Sequence, residues 1–157
     1  MTSTAPPEPE PAILESNLAA LAAFCPRAAE QLRAAEPPTE VRPIVGRDGT
    51  LTYAWNDESG RLSWLGRATM PGVRARALID AFQHGSRNAL LHGFGQGAEI
   101  KLLLQRLAGY QAVFAVDETA WAAALVLRLH EFAEDLRRGR LLIFTGSTAW
   151  DDLQNFL

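Results

Sequence analysis

The residues best placed to do chemistry are three alternating glycines, Gly93, Gly95 and Gly97, in "NALLHGFGQGAEI", and two acids, Asp117 and Glu118, in "VFAVDET" about twenty residues later. Glycine at a strand end permits a sharp turn and lets a ligand approach the backbone, while a following helix offers unpaired N–H groups. Such a turn can hold a phosphate or the edge of a nucleoside. A carboxylate at the end of the next strand can accept both hydroxyl hydrogens of a ribose. The spacing is G-x-G-x-G, with Ala98 standing where the dinucleotide fingerprint has its third glycine, a replacement that fingerprint accepts. His92, just before the glycines, and Thr145, after a later strand, could line the same crevice.

Each of these residues also has a purely structural reading. Tight strand-to-helix turns use glycine without any ligand, and Asp117 could cap a helix beginning near Thr119. Thr148 with Asp151 reads as a capping box, Arg137, Arg138 and Arg140 as a solvated helix end, and Trp121 as packing. His84 is expected to end a helix and His130 to sit on a helix face. No histidine pair has metal-ligand spacing, no G-x-S-x-G appears, and the Gly-Lys-Ser/Thr phosphate loop is missing. No catalytic residue and no metal ligand is assigned.

Positioning these groups requires an α/β chain. Residues 1–11, rich in proline and acid, are expected to form a flexible tail. From Ile13 to Leu32 the apolar residues recur at helical spacing, with an interruption at Cys25-Pro26, because the residue before proline avoids the helical region. Short alternating runs come next in "VRPIV", "LTYAW" and "RLSWL". They are separated by glycine-containing turns, which predicts a small antiparallel meander with Pro43 on an edge strand. "PGVRARALIDAFQHG" predicts a helix that starts at Pro71 and ends at Gly85. Thereafter short apolar strands alternate with amphipathic helices: "NALLH", "GAEIKLLLQRLAG", "QAVFAV", "TAWAAALVLRLHEFAEDLRRG", "RLLIFT" and "TAWDDLQNFL". That order predicts a three-strand parallel, Rossmann-like half sheet flanked by helices. Its first strand would ordinarily be central, so the meander, another domain or a second subunit is expected beside it. Residues 12–70 and 71–157 are expected to share one compact domain.

Composition narrows the partners. With 157 residues, 48% hydrophobic and 21% charged, the chain suits one globular unit. A net charge of −3 gives no general attraction to nucleic acid or anionic membrane. No segment approaches the roughly 18 apolar residues of a membrane span, so a cytoplasmic location is the default. Cys25, the sole cysteine, excludes an intrachain disulfide and reads as a small buried residue.

The glycine turn together with Asp117 resembles the first motif and following acid of class I S-adenosylmethionine-dependent methyltransferases. A longer resemblance is to the N-terminal part of motility-associated Maf-type glycosyltransferases. "ILESNLAALAAFCPRAAEQL" resembles their leading N-L-x-A-L…P…L helix, and residues 41–66 their small β segment. "NALLHGFGQGAEIKLLLQRL" resembles their glycine turn and helix, and "VFAVDET" and "LLIFTGSTAWDDLQNFL" resemble the segments beyond that helix. This resemblance implies a non-catalytic N-terminal domain of a bacterial glycosyltransferase-like protein, serving assembly or acceptor presentation. Its partner would be a C-terminal transferase domain or a second subunit, a further copy of this chain included. The first resemblance implies the alternative, a module that binds S-adenosylmethionine or a nucleotide at Gly93, Gly95, Gly97 and Asp117. The cofactor stays open between those two.

Overall fold

The computed structural model describes residues 6, 8–83 and 85–157. His84 and most of the expected N-terminal tail lie outside the described residues. Two helices open the fold, α1 (Pro11–Leu21) and α2 (Pro26–Ala34), each with proline in its first turn, where the missing N–H costs nothing. The break expected at Cys25-Pro26 is present, and Cys25 is buried at it.

Strands β1 (Arg42–Val45), β2 (Leu51–Asn56) and β3 (Leu62–Trp64) pair antiparallel in the order β1-β2-β3, so Pro43 lies on an edge strand as expected. A 3-10 turn, Leu65–Arg67, leads out of the meander. Helix α3 (Pro71–Ala81) comes next, and its first turn is capped from the β1–β2 turn. Asp48 Oδ2 accepts the N–H groups of Gly72 and Val73 at 2.8 and 3.1 Å. The helix stops at Ala81, short of the expected Gly85. Gly85 instead lies in a loop whose carbonyl accepts a hydrogen bond from the Gln111 carboxamide at 2.8 Å.

The second sheet is parallel: β4 (Ala89–His92), β5 (Val113–Asp117) and β6 (Leu141–Thr145), in the order β4-β5-β6. Helix α4 (Ala98–Arg106) joins β4 to β5, helices α5 (Ala120–Leu129) and α6 (Ala133–Arg137) join β5 to β6, and α7 (Ala149–Phe156) closes the chain. Phe114, Val116, Leu142 and Phe144 share one face, where Phe156 of α7 meets Phe114 and Phe144 edge-on at 6.1 and 5.7 Å. Val113, Ala115, Leu141 and Ile143 fill the other face and are fully buried. Among the described residues β5, not β4, is the middle strand. The meander strands pair only with one another, so they do not extend this sheet beyond β4.

The single helix expected over residues 119–139 is two. Nothing local demands the break, since no glycine or proline interrupts "ALVLRLHEFAEDL". A distant side chain makes it. Asn17 of α1, fully buried, donates to the carbonyls of Leu127 and His130 at 2.9 and 2.7 Å and accepts the Phe132 N–H at 2.8 Å. The backbone groups freed at the end of α5 are thereby satisfied, and Phe132 turns into the core. Arg140, expected in a solvated run, is also drawn in. Its guanidinium reaches the carbonyls of Leu104, Leu107 and Ala108 at 3.0, 3.4 and 3.4 Å, where α4 ends and a cation suits the helix dipole.

Candidate functional site

The strand ends β4 and β5 and the meander enclose a cleft of about 940 Å³. Trp55, Leu62, Trp64 and Leu65 of the meander and the 3-10 turn line it, together with Trp121 and Ala122 of α5. Trp55 and Trp121 meet edge-to-face at 5.0 Å, so Trp121 both packs and lines the cleft. Leu91, His92, Gly93, Gly95, Glu99 and Asp117 line it at the strand ends and the start of α4, and Arg61, Arg67 and Arg74 also line it.

The three glycines have different jobs. Gly93 has a φ of +80°, and nothing lies within 4 Å of where its side chain would be, so its backbone is open to the cleft. Gly95 is closed off: a methyl group there would stand 2.3 Å from Glu99 Oε1. Gly97, at φ +100°, begins α4 and lies against α5, where a methyl group would fall 2.5 Å from His130 Cδ2 and 2.7 Å from Val126 Cγ1. Gly97 is therefore held by packing against α5, whereas a side chain at Gly95 would displace the Glu99 carboxyl group. Across the turn Gly66 of the 3-10 segment approaches so closely that a methyl group would be 2.8 Å from the Gln96 nitrogen. Gln96, buried, donates to the Leu51 carbonyl at 2.6 Å and so ties the glycine turn to β2.

Asp117 stands at the end of β5. Its Oδ2 accepts the Phe94 N–H at 3.3 Å and its Oδ1 the Thr119 N–H at 2.8 Å, an Asx-type turn ahead of α5 rather than the N-cap itself, which is Thr119. Each carboxylate oxygen keeps a further lone pair for the cleft. Thr145 is fully buried; its hydroxyl donates to the Asp117 carbonyl at 2.7 Å and fixes the end of β5 against β6 instead of facing the cleft. Glu118 is not among the residues that line the cleft. Its carboxylate takes the Trp150 indole N–H and the His92 Nε2 contact at 3.2 Å, hydrogen bonds that hold it below the usual carboxylate range. His92 in turn packs edge-on against Trp150 at 5.2 Å. The cleft thus gathers Gly93, Gly95, Asp117 and His92, whereas Gly97, Glu118 and Thr145 support it from behind or beside. The expected Thr148–Asp151 capping box is not formed; Thr148 donates to Asp152 Oδ2 at 2.8 Å.

Two titratable groups packed against the turn are not assigned to it from the sequence. The side chain of Glu99, in the first turn of α4, is only 3% exposed, and burial raises its pKa despite Arg74 Nη1 at 3.4 Å and the Gly97 N–H at 3.2 Å. His130, expected on a helix face, ends α5 with its Nε2 donating to the Gln96 carbonyl at 2.9 Å. Burial lowers its pKa to about 4, so the imidazole is neutral. The signal for Glu99 was its place two residues past the last glycine, on the side of α4 that also carries Ile100 and Leu103 inward.

No family model matches the chain, and no curated protein matches it. Among solved structures, the fold is similar to the Maf glycosyltransferase from Magnetospirillum magneticum AMB-1, at a TM-score of 0.53 and 17% sequence identity. The match covers 92% of this chain and 29% of that one, so this chain spans less than a third of that structure's length. Among the described residues no helix is long and apolar enough to cross a membrane.

Proposed function

We propose that this chain is a non-catalytic accessory domain of a glycosyltransferase-like protein, acting in assembly or acceptor presentation, and that its cleft holds a nucleoside-bearing small molecule. The observation that carries the reading is the cleft itself. It lies at the carboxyl ends of parallel strands, where open α/β sheets bind ligands, and it joins aromatic walls to the open backbone of Gly93 and the carboxylate of Asp117. The similarity to part of a glycosyltransferase supports the wider setting at the level of fold. A transferase domain or a second subunit is the class of partner this setting implies.

The second reading, a module binding S-adenosylmethionine or a nucleotide, draws on the same pair of residues. Because Trp55, Trp64 and Trp121 line the cleft, ligand entry must perturb tryptophan emission. Titration of the chain with nucleosides, nucleotides, nucleotide sugars and S-adenosylmethionine is expected to give a saturable change with at least one of them and no turnover of any. Silence across the panel would overturn the nucleoside assignment, and consumption of a sugar or methyl donor would overturn the non-catalytic one.

A further inference from the structure

The turn that should receive a phosphate already contains a carboxyl group of the chain's own. In phosphate-binding strand-to-helix turns, the free N–H groups of the first helical turn point at the ligand, and the glycines leave room for it. Here the Glu99 carboxylate folds back over Gly95 and lies in that room, 2.3 Å from where a side chain at position 95 would be. Its Oε2 takes the Gly97 N–H at 3.2 Å, and Gln96 Oε1 takes the Ala98 N–H at 3.3 Å. The space and two of the turn's N–H groups are taken by the chain's own side chains.

Arg74, the arginine that contacts the turn, is engaged by Glu99 at 3.4 Å, and Arg61 lies 3.8 Å from Asp57. Arg67 is exposed and lines the same cleft. A phosphate on the sugar's primary carbon would have to displace the Glu99 carboxyl group, which fills the space over Gly95 and takes the Gly97 N–H.

Building on the nucleoside reading of the cleft, we propose that its ligand carries no phosphate at the glycine turn: the site selects a nucleoside whose sugar ends in a neutral or cationic group. Asp117 accepts the ribose hydroxyls, the open backbone at Gly93 lets the sugar approach, the tryptophans take the base, and Glu99 faces the terminal substituent. Dinucleotides and nucleotide sugars, which need the turn for their phosphates, are excluded.

The test compares dissociation constants for adenosine, uridine, guanosine and cytidine with those of their monophosphates and of the amino-deoxy analogue of adenosine, at low salt. At least one nucleoside is expected to bind, with its monophosphate weaker by about tenfold or more. Glu99→Ala, which opens the space and removes the charge, is expected to bring the monophosphate level with or ahead of the nucleoside. Glu99→Gln, which keeps the volume, should recover part of that affinity if the Ala variant does not fold. A monophosphate that binds the unaltered chain as tightly as its nucleoside overturns the proposal while leaving the cleft reading intact. Failure of every nucleoside and every monophosphate to bind overturns both.

Discussion

The carboxylate of Glu99 occupies the place of a side chain at position 95: a methyl group on Gly95 would stand 2.3 Å from Oε1 and 2.4 Å from the carboxyl carbon. The glycines of the turn should therefore differ in what they tolerate. Gly93→Ala meets only open space and should cost about 1–2 kcal/mol of backbone strain. Gly97→Ala combines a worse backbone conformation with contact against His130 and Val126 and should exceed about 3 kcal/mol. Gly95→Ala should fall between them, by pushing the carboxylate out of its place. Urea unfolding ranks the three; equal losses at 93 and 97 would contradict the packing described.

Stability should depend on pH through His130. Its pKa is lowered from 6.5 to about 4 because the neutral ring is buried, so the unfolded chain takes up a proton first as pH falls. The contribution is present above 6.5 and lost as pH drops towards 4, a change of up to roughly 3 kcal/mol. Glu99 acts in the opposite sense. Burial raises its pKa, so its contribution is present below its ordinary value of 4.5 and fades as pH rises through the folded value. Unfolding curves between pH 4 and pH 7 should steepen in Glu99→Gln and flatten in His130→Gln. A His130 resonance titrating near 6.5 would refute the assignment.

Asp117→Ala should lower both affinity and stability. It strips the Phe94 and Thr119 N–H groups of their acceptor, a loss of about 1–3 kcal/mol, and it removes the group assigned to the ribose hydroxyls. Undiminished nucleoside binding in a folded Asp117→Ala chain would confine this carboxylate to the turn. Thermal shift reads both effects, since a ligand at a hundred times its dissociation constant adds about 2.7 kcal/mol.

Asn17→Leu should be more damaging than its size suggests. The replacement is apolar and of similar volume, yet it leaves two carbonyls and the Phe132 N–H buried without partners, which should cost about 2–5 kcal/mol. Asn17→Asp should do no better, because a carboxylate cannot donate to either carbonyl. Calorimetry distinguishes this from a packing defect: a loss under about 1 kcal/mol for the leucine variant would mean that the α5–α6 break stands without Asn17.

Most of the architecture could be read from period and punctuation. Proline at Pro26 and Pro71 and the turns before Gly49 and Gly60 marked real boundaries, because their effects on the backbone are local. The break at His130 left no trace in its own neighbourhood, since it depends on a side chain more than a hundred residues away. The site divided along the same line. Asp117 and Gly93 were legible from strand ends and spacing. The burial of Glu99 and the support given by Gln96 and Thr145 arise from how the meander and α5 close over the turn, which no single stretch encodes.

The Asn17 clamp also sets an order of events during synthesis. Phe132, whose N–H it accepts, lies 115 residues further along. At about 5–20 residues per second, α1 must wait on the order of ten seconds after leaving the ribosome before its binding place exists. Throughout that interval Leu18 and Leu21, fully buried in the finished protein, have nowhere final to go. The docking of the first helix made therefore cannot be completed until the α5–α6 break has been synthesised.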